Sequence, residues 1–425
     1  RFVFTRKLYM QNTTQNNLNS TPSANRVHIG FFGRRNSGKS SLINALTGQN
    51  VSIVSQRAGT TTDPVTKPME IKGLGPCVLI DTAGFDDDEE ILGAERIQRT
   101  ATASEKVELA IILISAQQWE ANGNLDLEQQ WAHKLTKQGA KLIWALTQID
   151  TTSDAQIAKI DKQLAKLGIK ATKVSIYQPE TLQTLRQTMI KNAQKQEERT
   201  ILGDLVKPGD LVVLVMPQDI QAPQGRLILP QVQTIRELLD RQCIIAATTT
   251  ANLNKTLASL SKAPNLIITD SQAFKQVYAS KPQESRLTSF SILFAAYKGD
   301  LNYYMQGTDK LTELDEKAHI LIAECCSHAP LQEDIGRVKL PRLLRRHFGD
   351  KLNIDIVSGQ DFPQDLTSYD LIIQCGACMF NRQHVLSRIA RAKEQHIPMS
   401  NYGLALAYLN GLPLHECALP QHNER

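Results

Sequence analysis

The chain has 425 residues, 41% hydrophobic and 21% charged, and a net charge of +5 from 48 basic against 43 acidic side chains. That length exceeds one ordinary core and sets two or three domains as the expectation, and the composition excludes a largely disordered or fibrous protein. The basic surplus is too small to argue for nucleic-acid or membrane-surface binding, and no apolar run reaches the roughly 20 residues that cross a bilayer.

In chain order, the leader RFVFTRKLYM lacks the apolar region and cleavage site of a signal peptide. Met10 reads as the natural start and residues 1–9 as an upstream extension. The polar QNTTQNNLNSTPSAN that follows makes residues 1–25 a flexible N-terminal extension on this reading.

RVHIGFFG at 26–33 predicts a short buried strand that breaks at a glycine. GRRNSGKS then matches G-x-x-x-x-G-K-[ST] in full, and SLINALTG predicts the amphipathic helix that should follow. Such a turn exposes backbone N–H groups to phosphate oxygens, and the helix N-terminus adds partial positive charge. The phosphate-binding residues are therefore Gly33, Ser37, Gly38, Lys39, Ser40 and Ser41. Lys39 reaches the outer phosphates of GTP or GDP, and Ser40 gives an oxygen to Mg²⁺.

VLIDTAG at 78–84 predicts a strand ending in D-x-x-G, with Asp81 holding Mg²⁺ through water and Gly84 close to the γ-phosphate. Between loop and strand, AGTTTDPV at 58–65 has the polar, threonine-rich character of a switch. One of its hydroxyls would bind Mg²⁺ only while the γ-phosphate is present. Lys39, Asp81 and Gly84 are thus the candidate catalytic residues on this stretch.

LIWALTQID at 142–150 predicts a strand leading to Asp150, whose carboxylate can take two hydrogen bonds from a guanine edge. Thr147 and Ser175 complete the candidate base site. The usual lysine of Asn/Thr-Lys-x-Asp is Gln148, and the Ser-Ala-x loop is altered to SIY at 175–177.

Residues 26 to about 190 resemble the GTPase domain of the translation-factor-related group that includes Era and the tRNA-modification GTPase. The resemblance implies that Asn36 helps bind a potassium ion. It also implies cation-assisted hydrolysis without a catalytic glutamine, since Phe85 follows D-x-x-G. Aligning GTTTD with the group's GTTRD makes Thr61 the switch ligand for Mg²⁺ and adds it to the catalytic set.

MIKNAQKQEERT at 189–200 predicts a charged helical connection that closes a GTP-binding domain of residues 26–190. A new βα alternation begins at GDLVVLVMP, and FSILFAAYKGDLNYYM at 290–305 predicts one long, apolar helix. No catalytic constellation stands out between 200 and 312, so this region reads as a structural or dimerisation domain, with that helix as the expected source of interface.

From 313 to 425 a third βα pattern appears, with strands predicted at HILIAEC, NIDIVSG, DLIIQCG and HIPMSNY. Cys326 and His328 follow the first, and Cys375 and Cys378 lie at and beyond the end of the third. Ligands gather at the carboxyl ends of parallel strands, so these donors are expected to converge. Cys325 and Cys326 are consecutive and, if extended, face opposite ways, so one of them is a ligand. Seven cysteines with two close pairs favour a metal site over a disulfide framework. Chemistry alone leaves a Cys₃His zinc site, a three-thiolate [4Fe–4S] cluster and a metal-free thiol cluster open.

C-S-H at 326–328, then residues 329–374, then C-G-A-C resemble the Cys-x-His…His-Cys-x-x-Cys signature of the [FeFe]-hydrogenase maturation GTPases. QAPQGRLILPQVQTIRELLD, TSFSILFAAYKGDL and DIGRVKLPR extend the resemblance over the chain from residue 20 onward. It implies three α/β domains: an N-terminal P-loop GTPase fold, a central dimerisation domain, and a C-terminal parallel-sheet domain with a [4Fe–4S] cluster on Cys326, Cys375 and Cys378. His328 enters the metal set with them. It further implies a cytoplasmic homodimeric scaffold and carrier that receives a diiron precursor from two radical-SAM maturases and delivers it to the hydrogenase apoprotein. Neither a membrane nor a nucleic-acid partner is expected. The family's histidine before C-x-x-C is Gln374 here, which leaves the fourth iron with a labile ligand. The competing reading is an Era-like GTPase of RNA modification or ribosome assembly with a structural zinc. Against it stand an aromatic content of 5% and the absence of a basic stripe with interleaved aromatics.

Overall fold

A computed structural model of the chain describes residues 22–48, 65–86, 92–122, 124–193, 199–217, 227–325, 335–359, 361–412 and 414–420. The expectations for residues 1–21, Thr61, Cys326 and His328 lie outside the described residues.

The N-terminal sheet contains β1 (Val27–Gly33), β2 (Val65–Ile71), β3 (Gly75–Asp81), β4 (Leu109–Ser115), β5 (Lys141–Thr147) and β6 (Ala171–Lys173) in the order β2-β3-β1-β4-β5-β6. Every neighbouring pair is parallel except β2 with β3. β4 is buried along its whole length and β1 along nearly all of it. Both faces are covered by helices, which is why these strands read as continuous apolar runs. β2 differs: VTKPMEI sits at the sheet edge, largely exposed, with Pro68 and Lys67 suited to an unpaired border. Val65, taken above as the end of the switch segment, is the first residue of this strand.

The central sheet has β7 (Leu211–Val215), β8 (Ile244–Thr248), β9 (Leu266–Thr269) and β10 (Arg286–Ser289), all parallel, in the order β10-β9-β7-β8. The third sheet has β11 (His319–Ala323), β12 (Asn353–Val357), β13 (Leu371–Gln374) and β14 (Met399–Asn401), again parallel, in the order β12-β11-β13-β14. The fold is thus three α/β units, as the sequence implied.

The long helix expected over 290–305 is two helices, Phe290–Lys298 and Leu301–Asp309. Gly299 ends the first, and the Asp300 carboxylate caps the second by accepting from the Tyr303 N–H at 3.0 Å. The first helix lies inside the chain. Phe290, Leu293 and Phe294 pack with the central sheet, while Ile292 and Ala295 join a core shared with the C-terminal sheet. It is therefore not the free apolar face expected for a partner chain. The second helix lies against β14 so closely that a Cβ on Gly307 would fall 2.1 Å from the Met399 carbonyl oxygen.

The chain finally returns to the central sheet. Cys417 bridges Leu287 of β10 in parallel, and the Ala418 N–H donates to the Leu287 carbonyl at 2.8 Å. Among the described residues no helix is long and apolar enough to cross a membrane.

Candidate functional site

The parallel order brings the carboxyl ends of β1, β3, β4 and β5 to one edge. There the loop from Gly33 wraps toward the helix Lys39–Thr47, with Asn36 and Gly38 in left-handed conformation at φ 60° and 91°. Lys39 is buried, and its Nζ donates to the Gly33 and Arg34 carbonyls at 3.0 and 2.9 Å. Ser40 Oγ donates to Asp81 Oδ2 at 2.6 Å, so the two Mg²⁺ candidates already touch. Burial raises the Asp81 carboxyl above its ordinary value, opposed by the Ser40 hydrogen bond and the Lys39 charge.

Two buried oxygens here, Ser37 Oγ and Asp81 Oδ1, have no hydrogen-bond partner. Buried polar atoms without partners are costly, and a cation or phosphate group at this edge would answer both. The donor set therefore fits Mg²⁺ and a nucleotide. Ser41 is exposed on the first helical turn.

Gly84 crowds the loop: a Cβ there would stand 2.8 Å from the Arg35 nitrogen. The Arg35 N–H is taken by Asp86 Oδ1 at 2.6 Å. Phe85 turns away from this edge and stacks on Trp131 at 5.0 Å between ring centroids. No side chain at that position can orient a water.

Thr147 Oγ1 donates to the Ser37 carbonyl at 2.8 Å and so ties β5 to the phosphate loop. Gln148, at φ 58°, donates from Nε2 to the Asn36 carbonyl at 3.1 Å and accepts from Ser115 Oγ. The amide in the lysine's place thus braces the loop, a role the motif departure did not suggest. Asp150 is exposed in the turn that follows, and buried Ser175 accepts at Oγ from the Tyr177 N–H at 3.2 Å. Hydrogen bonds to a charged group contribute about 1.5–3 kcal/mol. Asp150→Ala is therefore expected to weaken GTP binding by roughly ten- to 150-fold. Titration with GTP and ATP checks this, and equal wild-type affinity for both would remove the guanine assignment.

The thiol site forms where β11 and β13 end side by side, Ala323 opposite Gln374. The Cys375 sulfur accepts from the Cys325 N–H at 3.1 Å and the Ala377 N–H at 3.5 Å, with Gln374 Nε2 at 3.8 Å. Contact with the Cys325 thiol, together with these N–H groups, holds Cys375 below the ordinary thiol value against its burial. Burial pushes Cys77 and Cys417 up to about 11, against the Arg26 charge at Cys77 and with the Glu416 charge at Cys417. All six described cysteines are free, and Cys378, half-buried, follows Ala377 at φ 52°.

Cys325 does not face away from this site. β11 ends at Ala323, so strand alternation no longer governs residue 325, and Gln374 Nε2 donates to its sulfur at 3.0 Å. Among the described residues no group of three or more His, Cys, Asp and Glu side chains is placed to hold a metal. Cys375 and Cys378 are the described members of the expected ligand set.

Sequence reasoning missed Lys298. Its Nζ donates to the Ala377, Cys378 and Phe380 carbonyls at 3.0, 3.4 and 2.7 Å. Burial pushes its ammonium down to about 8, while the thiols of Cys378, Cys325 and Cys375 pull it up. The helix Arg382–Glu394 that follows the C-x-x-C reaches the GTPase domain, where Arg391 pairs with Glu105 and Lys137 with Glu394 at 2.7 Å.

A complete phosphate loop on a β-sheet edge, with Ser40 and Asp81 in contact, defines a P-loop GTPase, here carrying two more α/β domains. Three family models match in succession: the 50S ribosome-binding GTPase over residues 28–177, the Hydrogen maturase F dimerization domain over 201–299, and the Hydrogen maturase F tetramerization domain over 302–418. The chain belongs to the HydF family of hydrogenase maturation GTPases.

Curated relatives match one region only. The tRNA modification GTPase MnmE of Chromobacterium violaceum is 40% identical over 92 residues, 22% of this chain and 20% of that protein. GTPase Der of Sulfurimonas denitrificans is 32% identical over 159 residues, 37% of this chain and 31% of that one. The chain thus spans about a fifth to a third of the length of these relatives. Among solved structures, Era in complex with MgGDPNP and a 16S ribosomal RNA segment is 18% identical, covering 52% of this chain and 93% of that one with a TM-score of 0.33. The FeoB G-domain from Methanococcus jannaschii is 25% identical, covering 40% and 99% with a TM-score of 0.30.

Proposed function

We propose that this protein is a cytoplasmic GTPase scaffold and carrier that assembles or delivers the diiron precursor of the hydrogenase active site. The observation that carries the reading is Cys375, a half-buried thiol held toward thiolate by N–H donors at the paired ends of β11 and β13. Buried sulfurs that accept backbone N–H bonds suit a cluster ligand. Cys326, Cys375 and Cys378 would be the thiolates that hold the cluster, with His328 in the metal set. A [4Fe–4S] cluster held by three thiolates supplies one iron whose remaining ligand can exchange with a diiron cargo. Gln374, its amide engaged by Cys325 and Arg388, would leave that position to water or cargo. Iron, sulfide and zinc analysis after anaerobic reconstitution tests the reading, and stoichiometric zinc without iron would overturn it.

In the GTPase domain, Lys39 exchanges its two carbonyl partners for phosphate oxygens, and Ser40, Thr61 and Asp81 hold Mg²⁺. Asn36, at the turn of the loop, contributes to a K⁺ site that supplies positive charge where a glutamine or arginine is lacking. Turnover is slow and faster in potassium than in sodium. Equal rates in the two salts would remove the role given to Asn36.

Self-association runs through the central domain. β8 is the edge strand of its sheet, and exposed Ile244 lies there with Val232 and Leu239 of the helix Leu229–Asp240, 56%, 47% and 58% exposed. An edge strand flanked by exposed apolar side chains is a template for a second copy. Leu239→Glu with Ile244→Lys is expected to shift the full chain toward monomer in light scattering. An unchanged mass would move the interface elsewhere. The maturases and the hydrogenase apoprotein are the remaining partners, with GTP hydrolysis governing their association.

A further inference from the structure

Two cations lie buried against the thiol site with no carboxylate among the described residues to answer them. Arg388 is 0% exposed, and its guanidinium sits between the Phe362 and Phe380 rings, 4.7 and 4.8 Å from their centroids. Its Nη1 donates to Gln374 Oε1 at 3.2 Å and to the Glu324 carbonyl at 3.5 Å, and stands 4.0 Å from the Cys325 sulfur. Its Nη2 donates to the Gly359 carbonyl at 2.5 Å, and its Nε has no partner. Lys298 is 2% exposed and gives its ammonium to three carbonyls of the loop that carries Cys378. The neighbouring acids are engaged elsewhere: Glu324 pairs with Arg337, and Glu105 with Arg391 and His384.

Carbonyls satisfy the donors of a buried cation but do not neutralise it, and an isolated buried charge is expensive. Two such charges within one small region call for an anion there. Resting on the cluster reading above, the anion is the thiolate-held iron centre. A [4Fe–4S]²⁺ core on three thiolates carries one net negative charge, and a second once reduced.

We propose that Lys298 and Arg388 are the built-in counter-cations of this site, positioning residues that stabilise the anionic cluster and raise its reduction potential. The two come from different places. Arg388 belongs to the helix that follows the C-x-x-C, whereas Lys298 ends a helix packed on the central sheet. The charge around the cluster is therefore completed only when the central domain is docked. Fields from fixed charges act on a reduction step most strongly where water is excluded.

The test is anaerobic reconstitution of the full chain, iron and sulfide counts, then a redox titration followed by EPR. Lys298→Met and Arg388→Gln are expected to lower the ratio of reduced to oxidised cluster at a fixed potential at least tenfold, a shift of about 59 mV downward for a one-electron couple. Lys298→Arg and Arg388→Lys should stay near wild type. Neutral variants with full iron and an unchanged potential would overturn the proposal, as would equal shifts in the neutral and charge-keeping variants. Lys298→Gln, which keeps a donor for the carbonyls, is measured beside Lys298→Met. If neither folds without iron, the role is structural and the proposal also fails. Wild-type protein that takes up zinc and no iron would sink the cluster reading itself, whatever the variants do.

Discussion

Lys39→Ala is expected to reduce GTP turnover by roughly 10²–10³-fold or more, the scale of losing one preorganised charge at a reacting centre. Two groups of the same loop are already committed elsewhere. Arg34 is held away by Glu128 at 2.8 Å, and the Arg35 N–H is occupied by Asp86. Lys39 now satisfies two loop carbonyls, of which that of Gly33 also accepts from the Phe85 N–H at 3.3 Å, so the fold should persist without it. Steady-state phosphate release with circular dichroism checks both halves. Turnover within a few-fold of wild type would mean that this loop is not where GTP is cleaved.

Cys375→Ser and Cys378→Ser are each expected to abolish the cluster, and with it hydrogenase activation, while GTP hydrolysis continues. The Cys375 sulfur sits among N–H donors tuned to a thiolate, and a serine hydroxyl there would be far less acidic. The phosphate edge lies on another sheet, so its Lys39, Ser40 and Asp81 contacts do not depend on either thiol. Iron content, the EPR signal and phosphate release on the same preparations decide the matter. Full iron in either variant would strike that cysteine from the ligand set.

Much of this was legible from the sequence because the constraining chemistry is local. A strand, a G-x-x-x-x-G-K-S turn and a helix must be contiguous to cradle phosphate, so residues 27–47 could be read directly. The C-x-x-C after β13 is equally compact. β2 was not legible, since an edge strand carries no apolar run and its Pro68 argues against a sheet. The break at Gly299 was signalled by a glycine and a capping aspartate, yet the apolar character of the surrounding run overrode both. Lys298 and Arg388 look like ordinary helix charges. Their burial depends on carbonyls from residues 359 to 380 and on a neighbouring domain, and no pattern within their own helices reveals it.

The return of Cys417 to β10 changes what can move. The chain leaves the central sheet at Gly299 and rejoins it 118 residues later at Cys417, so the third sheet is an excursion within the path of the second rather than a bead after it. A shared core, with Val213 and Ile267 on one side and Leu321 and Ile372 on the other, seals the excursion. The two sheets are thus packed as one unit, expected to unfold together. If nucleotide drives a stroke, the central and C-terminal sheets would move as a single block, joined to the GTPase domain by the ion pairs of the helix Arg382–Glu394.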